Sequence, residues 1–160
     1  MKPISVKMWF MAAVAAAALS LGAYADIGLK PPKHGGVYVA AHRGAHEGIP
    51  ENTLPAYRKA IDLGCDFVEI DVRTTKDGKF VSMHNGKIDS YVPGKTGNVS
   101  DMTLDELRAL DIGARMGDQW KGTKIPTFEE IFDLCKWKIG IYLDLKSAPV
   151  PELVKIIKAK

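Results

Sequence analysis

The chain has 160 residues, of which 46% are hydrophobic and 26% charged, an ordinary globular composition with enough apolar material for one core. Lys and Arg number 22 against 19 Asp and Glu, and setting aside Lys2 and Lys7 leaves 20 against 19. So even a balance gives no electrostatic reason to expect nucleic acid or an anionic membrane as partner.

The first segment has the layout of an export signal. Lys2 and Lys7 lead into an almost wholly apolar run from Met8 to Leu21, and Ala23-Tyr24-Ala25 supplies the small residues at which a signal peptidase cuts. Cleavage is predicted after Ala25, delivering a chain that begins at Asp26 to the periplasm or the extracellular space. The apolar run is shorter than the roughly 20 residues that span a bilayer, so no stable membrane anchor is expected after cleavage.

Residues 26–36, with their prolines, glycines and His34, read as a linker. Val37–Ala41 is a short apolar run of strand formers that ends in His42-Arg43-Gly44. After a loop, Asn52-Thr53-Leu54-Pro55 has the form of a helix start, with a capping residue and an early proline. Leu54, Tyr57 and Ile61 follow at helical spacing, and Gly64 ends the element. Phe67–Val72 and Phe80–Met83 are predicted strands around an Asp77-Gly78 turn. Residues 85–124 form a loop-rich stretch with one helix, announced by Thr103 and Glu106 as a capping box. Thr127 and Glu130 repeat that signature. Ile139–Leu145 is a fourth strand, and Pro151-Glu152 opens a last helix with Leu153, Ile156 and Ile157 on one face. Strands alternating with helices indicate α/β organisation. Cys65 and Cys135 are spaced like no metal motif and sit among apolar residues, so two buried thiols are expected.

The chemistry concentrates between Phe67 and His84. On a strand, Glu69 and Asp71 point to one face, while Val68, Ile70 and Val72 point to the other. Two carboxylates side by side on a buried strand repel each other and lose hydration, so they need a counter-charge. With Asp144 they make an all-oxygen set suited to Mg²⁺ or Ca²⁺. The competing reading has Asp71 capping a turn and Glu69 facing solvent. Residues 71–82 are not an EF-hand: Arg73, Lys76 and Ser82 stand where that loop needs an oxygen ligand, a glycine and a glutamate. His42 and His84 end strands, where a pair suits acid–base work near neutral pH. Arg43 directly follows His42 and could clamp a phosphate oxygen, with Lys146 as a second positive group; the alternative is that each is a surface charge. All these groups fall at or near C-terminal strand ends, the rim where α/β folds build their sites.

Several motifs in order resemble the glycerophosphodiester phosphodiesterase family: Ala41-His42-Arg43-Gly44, Pro50-Glu51-Asn52-Thr53, Val68-Glu69-Ile70-Asp71-Val72, His84, residues 104–113, residues 125–130 and Leu143-Asp144-Leu145-Lys146. The resemblance covers roughly Val37–Lys146. It implies a (β/α)₈ TIM-type barrel, with residues 85–124 as a small insertion. It implies one divalent cation, Ca²⁺ or Mg²⁺, on Glu69, Asp71 and Asp144, with His42 and His84 as acid and base and Arg43 and Lys146 at the phosphate. The implied substrate is a small glycerophosphodiester, cleaved to glycerol 3-phosphate and an alcohol, with the substrate's own glycerol hydroxyl as the first attacker of phosphorus. Two positions depart from the family pattern: Asn85 stands where Asp usually follows the second His, and Asp144 where Glu is common. A (β/α)₈ barrel takes about 250 residues, so this chain is expected to hold only about the first half. Such a half exposes sheet edges and is expected to be a fragment, to self-associate or to be inactive. Two further readings stay open, a related phospholipase D-like phosphodiesterase and a non-catalytic binding protein that keeps the site as a relic.

Overall fold

The structure is a computed structural model that describes residues 28–160. The predicted signal segment and the first residues of the linker lie outside the described residues. The chain divides into a unit ending at Val37 and a second unit, Tyr38–Lys160. In the described part of the first, the Val37 amide donates to the His34 carbonyl at 3.3 Å.

The second unit is built on β2 (Phe67–Thr74). Residues 68–72 are all buried, and the foreseen alternation shows in their company: Val68, Ile70 and Val72 join the apolar cluster, while Glu69 and Asp71 converge with Asp144. Burying apolar side chains of this size contributes about 1.5–3 kcal/mol each. β1 (Ala40–Ala41) runs parallel to β2 on one edge, pairing Ala40 with Phe67. β4 (Gly140–Leu145) runs parallel on the other edge, from Phe67 opposite Gly140 to Val72 opposite Leu145. β3 (Phe80–Ser82) is antiparallel, with Ser82 opposite Val72 and Phe80 opposite Thr74. It therefore continues the β1 edge beyond the point where β1 stops.

One sequence expectation changes here. The first strand is two residues long rather than Val37–Ala41, because the Val39 amide bonds to the Asp66 carboxylate at 2.9 Å instead of to a neighbouring strand. The third strand is a hairpin return, as the short Asp77-Gly78 turn predicts, and β1, β2 and β4 form the parallel set. The Asp77-Gly78 turn folds it back, with Thr75 Oγ1 bonding the Asp77 carboxylate at 2.6 Å and accepting from the Lys79 amide at 2.9 Å.

Helices α1 (Leu54–Asp62), α3 (Phe128–Cys135) and α4 (Val150–Ala159) cover the sheet. Tyr57, Phe128, Ile131 and Leu153 bury against Val68, Ile70 and Val72, and both cysteines sit in this cluster as buried thiols. Helix α2 (Leu104–Ala109) and three 3₁₀ turns lie in the loop-rich stretch. That stretch has its own apolar cluster, in which Ile88, Tyr91, Leu107 and Ile125 pack on Val81 and Met83. Both foreseen capping boxes are present, Thr103 with Glu106 and Thr127 with Glu130.

Candidate active site

β2 outlasts its parallel partner, and the groups of interest gather where the parallel part ends. Asp71 on β2 is in register with Asp144 on β4. Oxygens of Glu69, Asp71 and Asp144 lie within 4.8 Å of one another. Glu69 is 7% exposed and Asp71 fully buried, so neither is a solvated surface acid and the competing reading fails. Three carboxylates at this range need positive charge nearby. Lys146 Nζ stands 2.6 Å from Asp144 Oδ2 and 3.3 Å from Asp71 Oδ1, and Arg43 Nε is 3.6 Å from Asp71 Oδ2. The Arg43 amide also donates to Glu69 Oε2 at 2.8 Å.

The loop that carries Arg43 is held against α1. Arg43 and Gly44 both have positive φ, 53° and 82°. A Cβ at Gly44 would come within 2.8 Å of Ala56, so this close approach requires glycine. The loop ends in Asn52, which is 1% exposed and has φ 56°. Its side chain does not cap the helix. Thr53 is the N-cap residue, and the Asn52 amide instead donates to Asp71 Oδ2 at 2.7 Å. Asn52 Oδ1 accepts from Tyr57 at 2.8 Å and from Ser82 at 2.9 Å. Beneath Asp71 there is thus a buried set of hydroxyls and one amide that orients its carboxylate.

The electrostatics follow from burial and pairing. Burial pushes the Glu69 carboxyl above the usual range. The Arg43 amide opposes that shift, Asp71 adds to it, and nearby His42 opposes it. The Lys146 ammonium is held above its ordinary value by its bond to Asp144, then, against a desolvation cost, by Asp71. For Glu69, a raised folded-state value stabilises the fold below the unfolded pKa, and that contribution is lost as pH rises through the folded value. Glu69→Gln, which keeps an acceptor for the Arg43 amide, is therefore expected to melt higher than the parent in chelator at pH 7, with the gap closing toward pH 4. Thermal melts across that range check it, and a gap that widens toward acid would overturn it.

His84 lies beyond β3. Its carbonyl accepts from Arg73 Nε at 3.0 Å and Nη2 at 2.5 Å, and its Nδ1 is 2.9 Å from Asn85 Oδ1. With Lys146 it lines a cleft of about 550 Å³. His42 is exposed at the end of β1, its ring centroid 6.3 Å from that of His46. Glu69, Asp71, Asp144, Arg43 and Lys146 therefore form one cluster, with His84 on the cleft beside Lys146 and His42 close enough to act on Glu69. The donor set fits a hard divalent cation: it is all carboxylate oxygen, and Asp71 Oδ1 is buried without a hydrogen bond.

Arg73 and Asn52 are functional neighbours that the sequence reading left without a role. The signal for Arg73 was the strand period itself, since residues 69, 71 and 73 share a face. For Asn52 it was the four-residue Pro50–Thr53 motif.

The model of the "Glycerophosphoryl diester phosphodiesterase family" matches residues 42–156. A glycerophosphodiester phosphodiesterase of Caldanaerobacter subterraneus subsp. tengcongensis is 39% identical over 127 residues, covering 75% of this chain and 52% of that protein. The crystal structure of a glycerophosphodiester phosphodiesterase from Agrobacterium tumefaciens superposes with TM-score 0.73 at 30% identity, covering 77% of this chain and 53% of the other. An Oleispira antarctica phosphodiesterase, solved with the product sn-glycerol-3-phosphate, gives 0.71 at 31% identity, covering 76% and 52%. The chain spans about half the length of these relatives. Their fold is the TIM barrel, and the parallel β1, β2 and β4 with their helices are part of one.

Proposed function

The chain belongs to the glycerophosphoryl diester phosphodiesterase family, and on that premise we propose that the protein hydrolyses glycerophosphodiesters to glycerol 3-phosphate and an alcohol. The observation that carries this reading is the carboxylate triad with Arg43 and Lys146 at its edge. The glycerol 3-phosphate held by the Oleispira relative supports the same product class.

Glu69, Asp71 and Asp144 would hold one divalent cation, Ca²⁺ or Mg²⁺. When bound, such an ion neutralises a phosphodiester and the charge that develops on it. Arg43 and Lys146 bind phosphate oxygens and orient phosphorus toward the attacking hydroxyl. His42 and His84 divide the proton work, one accepting from the nucleophile and the other donating to the leaving alcohol oxygen. Asn85 Oδ1 accepts from His84 Nδ1, which leaves Nε2 for the substrate. Arg73 fixes the backbone that carries the ring.

The test is release of glycerol 3-phosphate from glycerophosphocholine, with Ca²⁺ or Mg²⁺ and with chelator. Activity should require the ion, and His42→Ala and His84→Ala should each lower it by about 10²–10⁴-fold. Activity indifferent to chelator and to both substitutions would instead favour a non-catalytic role for this site. We further propose that the reaction is extracytoplasmic, on the strength of the Met1–Ala25 pattern. The exported protein should then begin at Asp26 on N-terminal sequencing.

A further inference from the structure

We propose that Tyr91, in the loop-rich stretch, is a positioning residue that ties the phosphate-binding Arg43 to the segment carrying His84. The proposal rests on the functional reading of those two residues given above.

Tyr91 is 3% exposed and packs with Ile88, Leu107 and Ile125. Its ring is fixed by that packing, so its hydroxyl is delivered to one place. There the oxygen accepts from the Asn85 amide at 3.2 Å and donates to Glu51 Oε1 at 3.1 Å. Both capacities of the hydroxyl are used. Glu51 in turn takes Arg43 Nη1 on both its oxygens, at 3.2 and 3.1 Å. On the other side, Asn85 meets His84 Nδ1. One phenol thus reaches across 40 residues of sequence to Glu51, and it sets the distance between a phosphate clamp and an acid–base histidine. Trp120 makes a second tie of the same kind, from its indole N–H to the Gly48 carbonyl at 2.8 Å, so the stretch is anchored on the Arg43 loop at two points. An arginine held by both oxygens of a carboxylate loses its aim when that carboxylate is free to turn.

Tyr91→Phe keeps the packing and removes only the hydroxyl. It is expected to raise the KM for glycerophosphocholine and the Kd for glycerol 3-phosphate by about tenfold, the scale of losses when an outer partner of a site residue is removed. Glu51→Gln should do the same. The double variant should be no worse than the weaker single, because both changes break one chain of contacts. A purely structural role would lower the melting temperature of Tyr91→Phe while leaving the Kd for glycerol 3-phosphate unchanged, and that result overturns the proposal. Effects of the two substitutions that multiply would also overturn it. If the parent protein neither binds glycerol 3-phosphate nor cleaves the diester, the functional reading itself fails, an outcome separate from a parent-like Tyr91→Phe.

Discussion

Asp71→Asn is expected to abolish divalent-cation binding and to cost about three decades of activity. Asp71 is the one member of the triad that is fully buried and bonded from below. Asn52 holds its Oδ2, while its Oδ1 is buried without a hydrogen bond between Lys146 and the other carboxylates. Replacing one carboxylate oxygen by an amide N–H puts a donor where a cation needs an acceptor. A bound metal supplies several kcal/mol of transition-state stabilisation in phosphoryl chemistry, and each 1.36 kcal/mol is tenfold in rate. The fold should survive, because Arg43 and Lys146 are each about a fifth to a quarter exposed and can rehydrate when their partner is neutralised. The discriminating measurement is the calcium-induced rise in melting temperature, together with terbium luminescence as a direct probe of binding. Both should vanish in Asp71→Asn. If calcium stabilises the variant as it does the parent, the triad is not the ion site.

Asn52→Ala is expected to be the most destabilising single substitution near the site, by about 3–5 kcal/mol. Two physical terms add. The amide serves Asp71, Tyr57 and Ser82 at once, and leaving buried polar groups unsatisfied costs about 1–3 kcal/mol each. Part of that loss is recovered because Tyr57 and Ser82, 2.7 Å apart, can then turn one hydroxyl proton onto each other. The second term is the backbone. At φ 56° asparagine is tolerated, while alanine pays about 1–2 kcal/mol. Against a net stability of about 5–15 kcal/mol for a domain, such a loss is a large share. Asn52→Gly separates the terms, since it restores backbone freedom but not the hydrogen bonds, and it should recover only about 1 kcal/mol. Urea unfolding of the parent and both variants gives the comparison. A parent-like midpoint for Asn52→Ala would show that the amide is dispensable. Calcium affinity of whatever folded Asn52→Gly remains should fall about 10–100-fold, the usual cost of removing the partner of a metal-ligating carboxylate.

Arg43, Glu51 and Tyr91 illustrate a different kind of dependence. None of the three touches the carboxylate oxygens in the way Asn52 does, apart from the Arg43 amide and Nε. Their value lies in order: packing fixes the phenol, the phenol fixes a carboxylate, and the carboxylate aims a guanidinium. A chain of this sort tolerates little slack, because an error at its start is carried to its end.

The sequence by itself determined whatever depends on local period and local chemistry. Alternation over residues 67–72 placed Glu69 and Asp71 on one face and Val68, Ile70 and Val72 on the other, because a strand has period two. Ser/Thr-to-Glu spacing located α2 and α3, because a capping box closes within four residues. The order of the motifs was enough to name Glu69, Asp71, Asp144, Arg43 and Lys146, and the fold brings these five together. Only the tertiary structure decided the rest. It shortened β1, since the Asp66 side chain takes the Val39 amide. It gave Asn52 to Asp71, and Tyr91 to Glu51 across 40 residues. In each case the partner lies far along the chain, and the choice among partners is made by register and packing, which no local pattern encodes.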